Sequence, residues 1–177
     1  VVSQVVDNTD FATDSTYDYY ACPATTGKSC VVEPYLYEDA SKAQYWLATI
    51  ASPVVVEGTV VGIVCFDLKV DLFQDIVDST KAFDGAGTLA VISGQGNLLG
   101  VTGHPELFGQ PLKAIHPATF EDDVKVVQSG AATITRNGET VSIFVPITIE
   151  DAHWSLALDV PTATINDPTT GVLTRDS

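Results

Sequence analysis

The sequence predicts an α+β protein of two tandem modules, each an antiparallel sheet with helical cover. Three observations carry this reading. First, runs of strand length rich in β-branched and aromatic residues recur between turn signals: Cys30 to Pro34, Tyr45 to Val56 and Thr59 to Leu68, then Leu89 to Ile92, Leu98 to Val101, Ala132 to Arg136, Glu139 to Pro146 and Trp154 to Val160. Second, helical spacing of apolar residues is seen over Val70 to Thr80 and around Thr119 to Val127. Third, one hairpin is repeated. Pro53-Val54-Val55-Val56-Glu57 matches Pro146-Ile147-Thr148-Ile149-Glu150, and the returning strands close on Asp67 and Asp159. The offset is 93 residues on the first strand and 92 on the second.

The elements follow in order. Residues 1–19 read as a weak strand and then a loop. Glu57-Gly58 joins two Val-rich runs as a tight hairpin, and Asn137-Gly138 is the strongest hairpin signal in the chain. Gly94 to Asn97 forms the turn between two further strands. Glu121, Asp122 and Asp123 stand near a helix start, where the helix dipole favours acids. The Gly-containing stretch 81–87 is the module boundary. The modules are therefore drawn at 1–80 and 81–165, with a polar tail over 166–177.

Composition narrows the function. The chain has 177 residues, 45% hydrophobic, enough for a core without metal or disulfide help. Eight Lys and Arg face 23 Asp and Glu, a net charge of −15. A chain that acidic does not suit nucleic acid or an anionic membrane surface. No apolar run is long enough to span a bilayer, and no signal-peptide pattern opens the chain. It is either cytosolic or a piece of something larger.

Of the three cysteines, Cys22 and Cys30 bracket a turn-rich segment, and Cys65 sits in an apolar run as a small buried hydrophobe. Three pairings are open; Cys22 with Cys30 is favoured. His104 and His116 each precede proline, which disfavours helix, so both are expected in surface loops. Glu38-Asp39 and Glu121-Asp122-Asp123 read as solvated faces. No nucleophile elbow, phosphate-binding loop or zinc motif is present, so no enzyme activity, cofactor or metal is expected.

The tyrosines stand out. All six lie between Tyr17 and Tyr45. Tyrosine joins a large apolar face to a hydroxyl, which suits a small-molecule pocket as well as an aromatic core. Tyr17 and Tyr19 share parity, as do Tyr35 and Tyr37, so extended backbone would point each pair to one face.

The series Tyr19-Tyr20, Gly27-Lys28, Glu33-Pro34-Tyr35-Leu36-Tyr37, Thr49-Ile50-Ala51-Ser52-Pro53, Gly58, Val61-Gly62 and Asp67-Leu68 resembles the extracellular double Cache (PAS-like) sensor region of bacterial methyl-accepting chemotaxis proteins. Leu89 to Asn97, Phe108-Gly109-Gln110-Pro111-Leu112, Val145-Pro146-Ile147 and Trp154-Ser155-Leu156-Ala157 fit its second module. The resemblance covers roughly 17–165. It implies a long N-terminal helix largely missing here, a membrane-distal ligand-binding module, a membrane-proximal one, and a periplasmic or extracellular location. The parent would be a membrane-spanning homodimer used in chemotaxis. A sensor histidine kinase or a cyclic-dinucleotide enzyme is the alternative output. An acidic surface module without a small ligand is the reading from another class.

The resemblance also implies site residues. The family's amino-acid binders carry Arg-x-Trp-Tyr, a later tyrosine and an aspartate on the returning strand. Tyr20 takes the Tyr position, Tyr19 the Trp position, Tyr35 that of the later tyrosine and Asp67 that of the aspartate, with Tyr37 beside Tyr35. Tyr17 stands where arginine is expected. Without that bidentate clamp a ligand carboxylate loses its obvious partner. The expected ligand is accordingly an amine or other small metabolite, with Asp67 holding an ammonium group, ahead of an amino acid.

Overall fold

The computed structural model describes residues 18–150 and 152–166. The chain divides into two units, Val1–Lys69 and Val70–Ser177. The division falls before segment 70–80, which the sequence reading placed with the first module. Its helix, α2 (Leu72–Ser79), packs on strands of the second unit.

The first unit is a helix, α1 (Asp18–Thr26), on a three-stranded antiparallel sheet of β1 (Cys30–Glu38), β2 (Gln44–Val56) and β3 (Thr59–Lys69), in the order β1-β2-β3. The helix corrects the sequence reading at Asp18 and Tyr19, expected in a loop. Pro23 interrupts its hydrogen bonding. The Thr25 and Thr26 hydroxyls bond back to the carbonyls of Ala21 and Cys22, and Gly27 ends it at φ +66°. A disulfide joins Cys22 of α1 to Cys30 of β1, fixing the helix to the sheet. At the β1–β2 connection Asp39 Oδ1 accepts from the backbone N–H of Ser41 and Ala43, an arrangement that spares the turn unpaired donors. Glu57 and Gly58 both have positive φ, as a type I′ hairpin requires.

Cys65 is exposed, not buried as its apolar run suggested. Strand β3 lies at the sheet edge, and Val64, Cys65, Phe66 and Asp67 are all exposed, so neighbouring apolar residues in sequence do not mean burial here.

The second unit is a five-stranded antiparallel sheet with helices on both faces. Its strands are β4 (Thr88–Ile92), β5 (Leu98–Val101), β6 (Thr133–Asn137), β7 (Thr140–Ile149) and β8 (Ala152–Pro161), in the order β5-β4-β8-β7-β6. α3 (Phe120–Ser129) precedes β6, and the short α4 (Thr162–Asn166) follows β8. One sheet face supplies Ala90, Ile92, Phe144 and Ala157 to a core shared with Leu112 and Val127. The other carries Trp154, which meets Phe73 of α2 edge to face at 6.0 Å. The β6–β7 turn centres on Gly138 and Glu139, one residue later than Asn137-Gly138, since Asn137 pairs with Thr140. Gly138 alone takes positive φ there, the II′ pattern.

Helix α2 packs on β5 at Gly100. The Gln74 side-chain amide donates to the Val101 carbonyl at 2.8 Å and accepts from the Val101 N–H at 3.0 Å, so it completes the strand edge. A Cβ on Gly100 would lie 2.9 Å from backbone atoms of Phe73 and Gln74. Backbone cannot turn aside as a side chain can. Gly100→Ala is expected to cost about 1–3 kcal/mol, read as a lower urea midpoint.

The repeated hairpin is visible in the ladders. Thr49 pairs with Asp67 in the first unit and Ser142 with Asp159 in the second. Glu57 and Glu150 turn at φ 49° and 52°. The drop in offset from 93 to 92 has a structural cause. Val54 pairs with Gly62 and Val55 with Val60, so Val61 is an extra residue bulged out of β3, with no counterpart in β8.

Two expected surface features are buried. His116 lies in a loop, as Pro117 requires, but its side chain is 9% exposed. Its imidazole contacts Asp123 and Asp159, both distant in sequence. Asp123 is correspondingly buried, while Glu121 and Asp122 remain on the solvated face. His104 is exposed, beside Glu106.

Candidate functional site

Alternation along the first sheet puts one set of side chains on a single face. Directly opposed residues share a face, so Asp67, Thr49 and Val32 belong together, as do Lys69 with Leu47 and Tyr35, Tyr37 with Tyr45, and Cys65 with Ala51 and Cys30. The disulfide from Cys30 brings α1 to this same face.

A hydrogen-bonded chain crosses all three strands. The buried Thr49 hydroxyl donates to Asp67 Oδ1 at 2.7 Å, which leaves Thr49 Oγ1 to accept from the Tyr35 hydroxyl at 2.9 Å. Partial burial, together with the Asp67 charge, pushes the Tyr35 hydroxyl above its ordinary pKa despite the Thr49 bond, so it stays protonated and keeps donating. Asp67 itself is exposed, a carboxylate oriented from beneath and open above. Cys65 stands two residues away on the same face. Partial desolvation and the Asp67 charge push its thiol up, which keeps it out of the reactive thiolate form. Lys69, two residues the other way, carries its ammonium 4.2 Å over the Tyr45 ring.

The face thus holds an anion and a cation on one strand. At about 3.4 Å per residue their Cα atoms are separated by roughly 7 Å along β3. Among the described residues no group of three or more His, Cys, Asp or Glu is arranged to hold a metal ion, and no helix is long and apolar enough to cross a membrane.

No family model matches the chain. Over 173 residues, 95% of its length, the sequence is 22% identical to the methyl-accepting chemotaxis protein TlpQ of Pseudomonas aeruginosa, of which it spans 24%. Among solved structures, the extracellular domain of mmHK1S-Z3, described as a histidine kinase, superposes with a TM-score of 0.74 at 20% identity, covering 97% of this chain and 62% of that one. The ligand-binding domain of the P. aeruginosa amino-acid chemoreceptor PctC, in complex with GABA, superposes with a TM-score of 0.64 at 20% identity, covering 90% and 65%. The fold is that of a Cache-like extracellular sensor domain.

For this Cache-like domain one expectation is corrected. The sequence places amines ahead of amino acids because Tyr17 stands where the resemblance expects a carboxylate-binding arginine. PctC, of the same fold, is an amino-acid chemoreceptor. Lys69, on the face that carries Asp67, shows why a missing arginine need not exclude a carboxylate.

The other site residues fall as follows. Tyr35, Tyr37 and Asp67 share the sheet face. Tyr19 and Tyr20 are half-buried on α1, so the shared parity of Tyr17 and Tyr19 on extended backbone does not apply. Tyr17 lies outside the described residues. Sequence reasoning missed Thr49, Tyr45 and Lys69 as members of the constellation. Parity along β3 was signal enough for Lys69, and Tyr45 belonged to the tyrosine cluster already.

Proposed function

We propose that the chain is the sensory part of a membrane receptor and binds a small ammonium-bearing molecule, amino acids included, on the Tyr35–Thr49–Asp67 face of its first unit. The observation that supports this most is Asp67: exposed, yet held in place by a buried hydroxyl that is itself held by a tyrosine. An ammonium group meets that carboxylate, with Tyr35, Tyr37 and Tyr45 supplying apolar and π surface. Lys69 takes the other end of a zwitterion. The TlpQ relationship favours a chemoreceptor as the parent. The mmHK1S-Z3 superposition, at the higher TM-score, favours a sensor kinase as the second reading.

A thermal-shift screen against amines, carboxylates and α- to γ-amino acids tests the site. A ligand at 100 times its Kd stabilises by about 2.7 kcal/mol. Asp67→Ala is expected to weaken every ammonium-bearing hit by tenfold or more. Lys69→Ala should weaken zwitterions and leave simple amines unchanged. Hits that persist in Asp67→Ala would place binding elsewhere, and hits confined to carboxylates would overturn the ligand class.

A further inference from the structure

The second unit repeats the hairpin but not its open carboxylate. Asp159 holds the register position of Asp67, opposite Ser142 as Asp67 is opposite Thr49. His116 fills the space in front of it. The imidazole Nε2 lies 2.8 Å from Asp159 Oδ2 and Nδ1 lies 2.8 Å from Asp123 Oδ2. The Thr119 hydroxyl donates to the same Asp123 oxygen. Asp159 Oδ1 is buried and has no hydrogen-bond partner among the described residues, so this carboxylate depends on His116. The Phe144 ring closes the site from β7, edge to face with the imidazole and with centroids 6.2 Å apart.

The proton count follows from this geometry. A neutral imidazole has one N–H, and one of its two contacts would set a nitrogen lone pair against a carboxylate lone pair. An imidazolium donates at both ends, and both contacts become charge-assisted. Among the described residues the charged groups paired with His116 are Asp123 from α3 and Asp159 from β8; β7 carries no charged residue and presents the Phe144 ring. No Lys or Arg makes an ion pair with either carboxylate among the described residues. Both imidazole nitrogens are committed, so a metal ion has no ligand to take there.

We propose that Asp123 and Asp159 form a two-carboxylate cage for a planar organic cation, which the chain fills with its own His116 imidazolium, and that loss of the His116 proton loosens the segment from His116 to α3 from the sheet. The second unit is self-liganded at the position the first unit leaves open. Cage and sensor can fail separately, because this inference uses contacts of the second unit alone. Burial works against the charged ring, but the hydrogen bonds and charges of Asp159 and then Asp123 outweigh it and hold the imidazolium above its ordinary pKa.

The test uses the whole chain. In nitrogen-15 imidazole spectra, the signal that disappears in His116→Gln is expected to show both nitrogens protonated at pH 6, with a midpoint above 6.5. A neutral tautomer at pH 6, or a midpoint at or below 6.5, overturns the proposal. In His116→Ala at pH 6, added imidazole is expected to raise Tm, with no rise in wild type or in the His116→Ala, Asp159→Asn double variant. A folded His116→Ala that ignores imidazole overturns it equally. If that variant does not fold, the spectra of the wild type decide.

Discussion

His116→Ala is expected to destabilise the protein by about 3–5 kcal/mol near pH 6, the cost of stripping one partner from a buried ion pair. Most of that cost is what the imidazole leaves behind. Asp123 and Asp159 would face each other with no cation between them, and Asp159 already has one oxygen without a hydrogen bond among the described residues. His116→Gln keeps one donor and some volume, and should fall between wild type and alanine. Urea unfolding of the full chain measures the series. An alanine variant within 1 kcal/mol of wild type (roughly the worth of an exposed pair) would mean the cluster is solvated and weak.

The pH dependence has a definite sign. A histidine whose folded pKa is raised binds its proton more tightly when folded. Its contribution is complete below the unfolded value of 6.5 and is lost as pH rises through the folded value, which lies higher. The wild-type urea midpoint should therefore fall as pH rises from 6.5 through the folded value, while His116→Gln should lack that fall.

Much of this fold was legible. The Val-rich runs, the Glu57-Gly58 turn and the amphipathic α2 state their own structure through local chemistry. The candidate face was legible only in part, and the bulge at Val61 explains why. Counting pairs outward from Val56 and Thr59 sets Asp67 against Ala48, which has nothing to offer a carboxylate. The extra residue shifts the partner to Thr49, whose hydroxyl orients Asp67. A bulge has no sequence mark as plain as a turn glycine. His116 failed for a related reason. Its neighbour Pro117 correctly indicates a loop, but the two acids that bury it come from α3 and β8. Local sequence cannot report partners 7 and 43 residues away. Tyr19 misled in the opposite direction, because a proline-containing helix held by threonine hydroxyls and a disulfide looks like a turn.

Trp154→Ala is expected to cost about 3–5 kcal/mol, comparable with the His116 variant but without its pH dependence. Trp154 is fully buried and is the largest such side chain in the described protein. It stands on β8 and meets Phe73 of α2 at 6.0 Å and 77°, the edge-to-face geometry that adds about 0.5–1.5 kcal/mol beyond area burial. Its removal leaves a cavity between a sheet and a helix already seated on Gly100, so neither side can close the gap without breaking the Gln74 pairing to Val101. Trp154→Phe retains the stacking partner and should lose far less. A cycle with Phe73→Ala separates ring contact from cavity: a coupling near the quoted range assigns the difference to the aromatic pair, and a coupling near zero assigns it to volume. Gly100→Ala combined with Trp154→Ala should fall short of additive, because a helix displaced by the new methyl has already surrendered part of its contact with the indole.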